Sequence, residues 1–126
     1  MRVLYVDDDR VNTLLFVEAC RVAGGLEVET AGSGAEALEL VRHWAPELLV
    51  IDLHLPDTSG YALLPALRQS LAAAALPAIL CTAEEAERVA PAAYQAGFGA
   101  CWTKPVAPQT IANELAQRRA CAAPGP

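Results

Sequence analysis

Three short, uninterrupted apolar runs constrain this chain more than any other feature: RVLYV at residues 2–6, LLVI at 48–51 and AILC at 78–81. Runs this short, bounded by polar residues, read as strands buried on both faces, the situation of a parallel sheet with helices above and below it. Two weaker runs join them. LEVET at residues 26–30 alternates in polarity and ACWT at 100–103 is short, which suits both to the sheet edges.

Longer helix-like patterns separate the five runs. Val11, Leu14, Leu15, Ala19 and Val22 recur at helical spacing until Gly24-Gly25 ends the helix. Ser33, with Glu36 three residues on, predicts a capping box for a helix carrying Ala37, Leu38 and Val41. Ser59 opens a third helix through Leu63, Leu64 and Leu67, with Pro65 inside it, and residues 84–96 form a fourth that Pro91 weakens. A fifth carries Ile111 and Leu115 and ends near Ala120.

Strict alternation with right-handed crossovers gives an α/β fold: a doubly wound five-stranded parallel sheet with helices on both faces. The flavodoxin-like order 2-1-3-4-5 agrees with the inferred edges. Residues 1–121 form one domain, for which 54% hydrophobic residues supply a core, and residues 122–126 form a frayed tail.

Composition removes several functions. A net charge of −6 without a Lys/Arg cluster excludes direct nucleic-acid binding. No apolar run approaches the roughly 20 residues of a membrane span, and no signal pattern opens the chain, so it is expected in the cytoplasm without membrane insertion. Cys20, Cys81, Cys101 and Cys121 are scattered, without a CxxC pair, and read as small apolar fillers.

In a doubly wound sheet the ligand site lies beyond the carboxyl ends of the strands, where the winding reverses. Those ends carry Asp7 and Asp8, Asp52, Thr82 and Lys104. Carboxylates converging on one rim repel unless a cation sits among them, and ligation by oxygen alone points to a hard cation such as Mg2+. Lys104 adds a point charge opposite. Read singly, Asp9 is an N-cap, residues 57–60 (DTSG) a turn and helix start, and Trp44, Tyr61 and Phe98 packing residues.

The motifs VDDD at residues 6–9, LLVIDLHLPDTSG at 48–60, LCTA at 80–83 and TKPV at 103–106 together resemble a response-regulator receiver domain, the phosphoacceptor module of two-component signalling and phosphorelays. The likeness covers residues 2–120. It implies that Asp52 accepts a phosphoryl group from a sensor histidine kinase or histidine phosphotransfer protein. It further implies that Asp7, Asp8, Asp52 and the backbone carbonyl of His54 hold Mg2+, with Mn2+ as the substitute. Thr82, Ala83 and Lys104 would bind the phosphoryl oxygens and carry the switch, and the bond before Pro105 would be cis. The implied protein is a signalling domain rather than a dedicated enzyme, with self-catalysed phosphotransfer and autodephosphorylation. His54 and Glu84 occupy positions that influence phosphoryl lifetime through water access.

One position departs from the pattern: Cys101 stands where the family's rotating aromatic is expected, and Trp102 beside it faces the other side of the sheet. That departure sustains a second reading, a phosphorylation-independent pseudo-receiver acting as an interaction module. A phosphohydrolase with an aspartyl nucleophile fits worse, because the aspartates are adjacent and no cap domain fits the length. The resemblance admits a homodimer. Kinase, output and the stand-alone or excised status of the domain are left open.

Overall fold

The structure is a computed structural model, and it describes residues 1–122. Five strands, β1 (Arg2–Val6), β2 (Glu27–Ala31), β3 (Leu48–Asp52), β4 (Ala78–Thr82) and β5 (Ala100–Thr103), alternate with five helices. These are α1 (Arg10–Ala23), α2 (Gly34–Leu40), α3 (Gly60–Ser70), α4 (Ala86–Gln95) and α5 (Pro108–Ala122). All neighbouring strands are parallel, in the order β2-β1-β3-β4-β5. This is the doubly wound order expected from the sequence. The tail expected at residues 122–126 falls, beyond Ala122, outside the described residues, and so does the side chain of Cys121.

The pleat divides the core into two layers. Leu4, Val6, Leu49, Ile51, Ala78 and Leu80 face α2, α3 and α4, where Leu63, Leu64 and Leu67 complete the packing. Val3, Tyr5, Leu48, Val50, Ile79 and Cys81 face α1 and α5, where Phe16, Ala19, Cys20, Ile111 and Leu115 cover them. Every residue of β3 and β4 is buried, whereas the edge strands β2 and β5 keep exposed positions. Burial of a leucine or isoleucine contributes about 1.5–3 kcal/mol, so these two strands anchor the sheet.

Helix α1 forms where expected but buries a different side. Of the stripe whose spacing signals the helix only Ala19 is buried: Val11, Leu14 and Val22 are 66%, 62% and 73% exposed, and Leu15 is 47% exposed. Phe16, Ala19 and Cys20 face the sheet instead. The helix is apolar around most of its circumference, so periodicity alone cannot choose between stripes, and the neighbouring α5 decides which one is covered. Two other helices differ in detail. Ser33 Oγ caps α2 by accepting from Glu36 N at 3.1 Å, but the Glu36 carboxylate accepts from Gly32 N rather than from Ser33. Helix α4 starts two residues later than the sequence suggests, where Thr103 Oγ1 on β5 accepts the otherwise orphaned Ala86 N–H at 2.7 Å. Pro65 and Pro91 both lie inside their helices.

Candidate functional site

The carboxyl ends of β1 and β3 are adjacent in the sheet, and the acids that follow the one and end the other converge. Asp7, Asp8 and Asp52 offer carboxylate oxygens that lie within 4.8 Å of one another. Asp7 and Asp52 are buried, while Asp8 is exposed. Lys104, arriving from the end of β5, bridges the two buried acids: its Nζ is 3.1 Å from Asp7 Oδ2 and 3.2 Å from Asp52 Oδ2. One ammonium thus serves two buried carboxylates and leaves a net negative site.

Electrostatics follow from that count. Burial pushes the Asp52 carboxyl above its ordinary range, Asp7 pushes it further, and Lys104 pulls it back. Burial alone would lower the Lys104 ammonium, but Asp7 and Asp52 outweigh it and raise it, so the lysine stays charged. An acidic, all-oxygen cluster with a net deficit of positive charge fits a hard divalent cation, and among these the donor set suits Mg2+.

Asp7 is held by three donors. Tyr5 Oη donates to its Oδ2 at 2.8 Å, Lys104 Nζ to the same oxygen at 3.1 Å, and Asp9 N to Oδ1 at 2.9 Å. Burial first, then Cys81 and Asp7, push the Tyr5 hydroxyl far above its ordinary range, so it remains a donor. Asp9 also caps α1, accepting from Val11 N and Asn12 N. On the other side of the site Thr82 is fully buried and its Oγ1 accepts from Glu84 N at 3.1 Å, which leaves the hydroxyl proton free to donate elsewhere. The Lys104 N–H donates to Thr82 O at 2.7 Å, tying β4 to β5 at the rim, and the Lys104–Pro105 bond is cis.

The loop after β3 is shaped by close approaches. A Cβ on Gly60 would lie 2.8 Å from the Asp52 carbonyl oxygen and 2.9 Å from Leu80 Cδ1, so only glycine lets α3 start against the end of β3. The same loop sends Asp57 to α2, where its carboxylate accepts from Gly34 N and Ala35 N, both at 2.9 Å. Those backbone donors hold the Asp57 carboxyl below its ordinary range.

A family model described as the response regulator receiver domain matches residues 3–116. The chain belongs to that family. Protein-glutamate methylesterase/protein-glutamine glutaminase 5 of Myxococcus xanthus is 38% identical over 108 residues, which are 85% of this chain and 31% of that protein. The polar-differentiation response regulator DivK of Brucella ovis is 32% identical over 104 residues, 82% of this chain and 84% of its own. Among solved structures, the chemotaxis response regulator CheY4 of Vibrio cholerae superposes with a TM-score of 0.82 at 26% identity, covering 92% of this chain and 96% of that one. The receiver domain therefore spans most of one relative and under a third of another.

Within the receiver domain the remaining marked residues separate by face. Trp102 is buried in the layer under α1 and α5, while Cys101 packs at the border of the opposite layer. The pleat keeps Trp102 from standing in for an aromatic at residue 101. His54 Nε2 and Glu84 Oε2 approach to 3.4 Å, joining the loops after β3 and β4. His43 instead pairs with Glu39 on the surface. Sequence reasoning missed two participants. Tyr5 reads as part of an apolar run, although a tyrosine two residues before an aspartate that continues the strand shares its face. Asp57 reads locally as a turn, and its helix partner 23 residues away leaves no local signal.

Proposed function

We propose that this receiver domain takes a phosphoryl group on Asp52 from a phosphohistidine donor, a sensor kinase or phosphotransfer protein, and signals through the resulting change at the β4 and β5 rim. The convergence of three carboxylates, the two buried ones bridged by one ammonium, carries the reading. Asp52 is the acid that ends a central strand, and a carboxylate is a nucleophile without help from a general base. One of its oxygens attacks phosphorus, the P–N bond of the donor breaks, and the imidazole leaves with that electron pair and picks up a proton. The product is an acyl phosphate on Asp52.

Such transfer passes through a loose transition state, for which positioning and charge neutralisation matter most. Lys104 would follow the new negative charge, trading its carboxylate contact for a phosphoryl oxygen. Thr82 would donate its free proton to a second oxygen, and the backbone N–H of Ala83 suits a third. Asp7, Asp8, Asp52 and the His54 carbonyl would hold Mg2+, which when bound neutralises phosphoryl charge. His54 and Glu84 bracket the approach of water, and their pairing favours a shielded acyl phosphate. The exposed apolar stripe of α1, beginning one turn from Asp8, suits a helical donor approaching the rim. A pseudo-receiver draws no support from a site this complete.

The test is intact mass after incubation with Mg2+ and acetyl phosphate, for wild type and Asp52→Ala. A phosphoryl adduct on wild type alone is expected. An adduct on both, or on neither, refutes the assignment.

A further inference from the structure

Among the described residues, Tyr5 carries a buried hydroxyl under the acidic rim that the proposed phosphoryl transfer does not use. It stands on the α1 and α5 face of β1, 4% exposed, with its ring stacked on Phe16 at 4.3 Å and 13° between planes. Nothing about packing requires an oxygen there, since phenylalanine has the same ring. The hydroxyl is spent on Asp7 Oδ2 at 2.8 Å, the oxygen that Lys104 also holds.

A carboxylate offers about four lone-pair sites, two on each oxygen. On Asp7 both sites of Oδ2 are taken, by Tyr5 and Lys104, and one site of Oδ1 is taken by Asp9 N. A single lone pair, on Oδ1, is left for a cation or its bound water. Mg2+ demands a regular octahedron of single-oxygen contacts and keeps its waters, whereas Ca2+ takes six to eight oxygens and gains from two-oxygen carboxylate contacts. A carboxylate locked to one free lone pair serves the first ion and denies the second.

Resting on the assignment of Asp7 to the cation site, we propose that Tyr5 is a positioning residue that makes the acidic site select Mg2+ over Ca2+ by holding Asp7 Oδ2 out of reach. Removing the hydroxyl frees one of the two occupied sites of that oxygen and leaves Lys104 on the other. Asp7 can then turn to offer both oxygens, which weakens the fit to Mg2+ and improves it for Ca2+.

The experiment is titration calorimetry of each ion, separately, into wild type, Tyr5→Phe and Phe16→Leu. Tyr5→Phe keeps the ring and its stack, while Phe16→Leu disturbs the stack and keeps the hydroxyl. The ratio of the Ca2+ to the Mg2+ dissociation constant should fall about fivefold or more in Tyr5→Phe, the scale of one hydrogen bond to a charged group with two other donors still present. In Phe16→Leu the ratio should stay at the wild-type value, which also covers the case in which Tyr5→Phe folds poorly: a ratio that falls there ties selectivity to packing and overturns the role of the hydroxyl. An unchanged ratio in Tyr5→Phe, whether both affinities drop together or neither does, overturns it as well. A wild type that binds neither ion fails differently, because it removes the acidic cation site itself.

Discussion

Asp52→Asn should stabilise the domain when divalent cations are absent. Asp52 is 5% exposed and its carboxyl is pushed up, first by burial and next by Asp7. At an effective dielectric of about 20, Asp7, within 4.8 Å, repels it by at least about 3.5 kcal/mol and Lys104 at 3.2 Å attracts it by about 5 kcal/mol. Exposed Asp8, better screened, adds about 1 kcal/mol of repulsion. The Coulomb terms nearly cancel, so the dehydration of the carboxylate, several kcal/mol for a fully buried ion, sets the sign. Asparagine avoids that cost, and Lys104 keeps Asp7 as its partner. A gain of about 1–2 kcal/mol follows, or roughly 3–8 °C in melting temperature for a domain this size. The sign with pH is fixed by the raised folded-state pKa. Ionised Asp52 costs stability at neutral pH, and the cost disappears as pH falls through that raised value toward the ordinary carboxylate value of about 3.9. Thermal melts followed by circular dichroism in EDTA at pH 7 and pH 4 read both effects. Added Mg2+ should raise the melting temperature of wild type more than that of the variant, because the variant has lost one of the proposed ligands. A variant that melts at or below wild type in EDTA at pH 7 refutes the argument, and so does an equal Mg2+ shift in both.

Lys104→Met should act oppositely, because it strands Asp7 and Asp52 without a counter-charge; urea unfolding should show a loss of about 2–3 kcal/mol without Mg2+, part of it recovered with the ion. Gly60→Ala should cost about 1–3 kcal/mol in the same assay, since the new methyl meets the Asp52 carbonyl oxygen at 2.8 Å. Asp57→Ala should lower the urea midpoint at neutral pH by releasing the start of α2. The folded-state pKa of Asp57 is depressed, so its contribution is complete above the ordinary carboxylate value and fades as pH falls through the folded one; the gap between variant and wild type should close in acid. Leu14→Asp should leave melting temperature and acetyl phosphate labelling unchanged while slowing transfer from a phosphohistidine protein several-fold, measured by radiolabel transfer.

Strand identity was legible because each central strand is a local run, buried on both sides, that no helix of that length could use. The β1 and β5 ranges are as read, and the other strands differ by no more than one residue at either end. The candidate site was legible for a related reason: Asp7, Asp8, Asp52, Thr82 and Lys104 each follow or end such a run, and a parallel sheet brings all those ends to one rim. Helix boundaries were less legible where the cap comes from elsewhere in the chain. Thr103 sets the start of α4 from 17 residues away, and no property of the local sequence announces it.

The sequence by itself determined the number of layers, the strand order and the set of charged groups at the rim, because periods of two and 3.6 residues and the handedness of crossovers are local or chiral rules. Only the tertiary structure decided which stripe of α1 is buried, that Asp57 closes the start of α2, and that Tyr5 and Lys104 share one oxygen of Asp7. Each of these is a choice among near-equal local options, settled by a partner as far as 97 residues away, and burial makes the hydrogen bonds of that partner count.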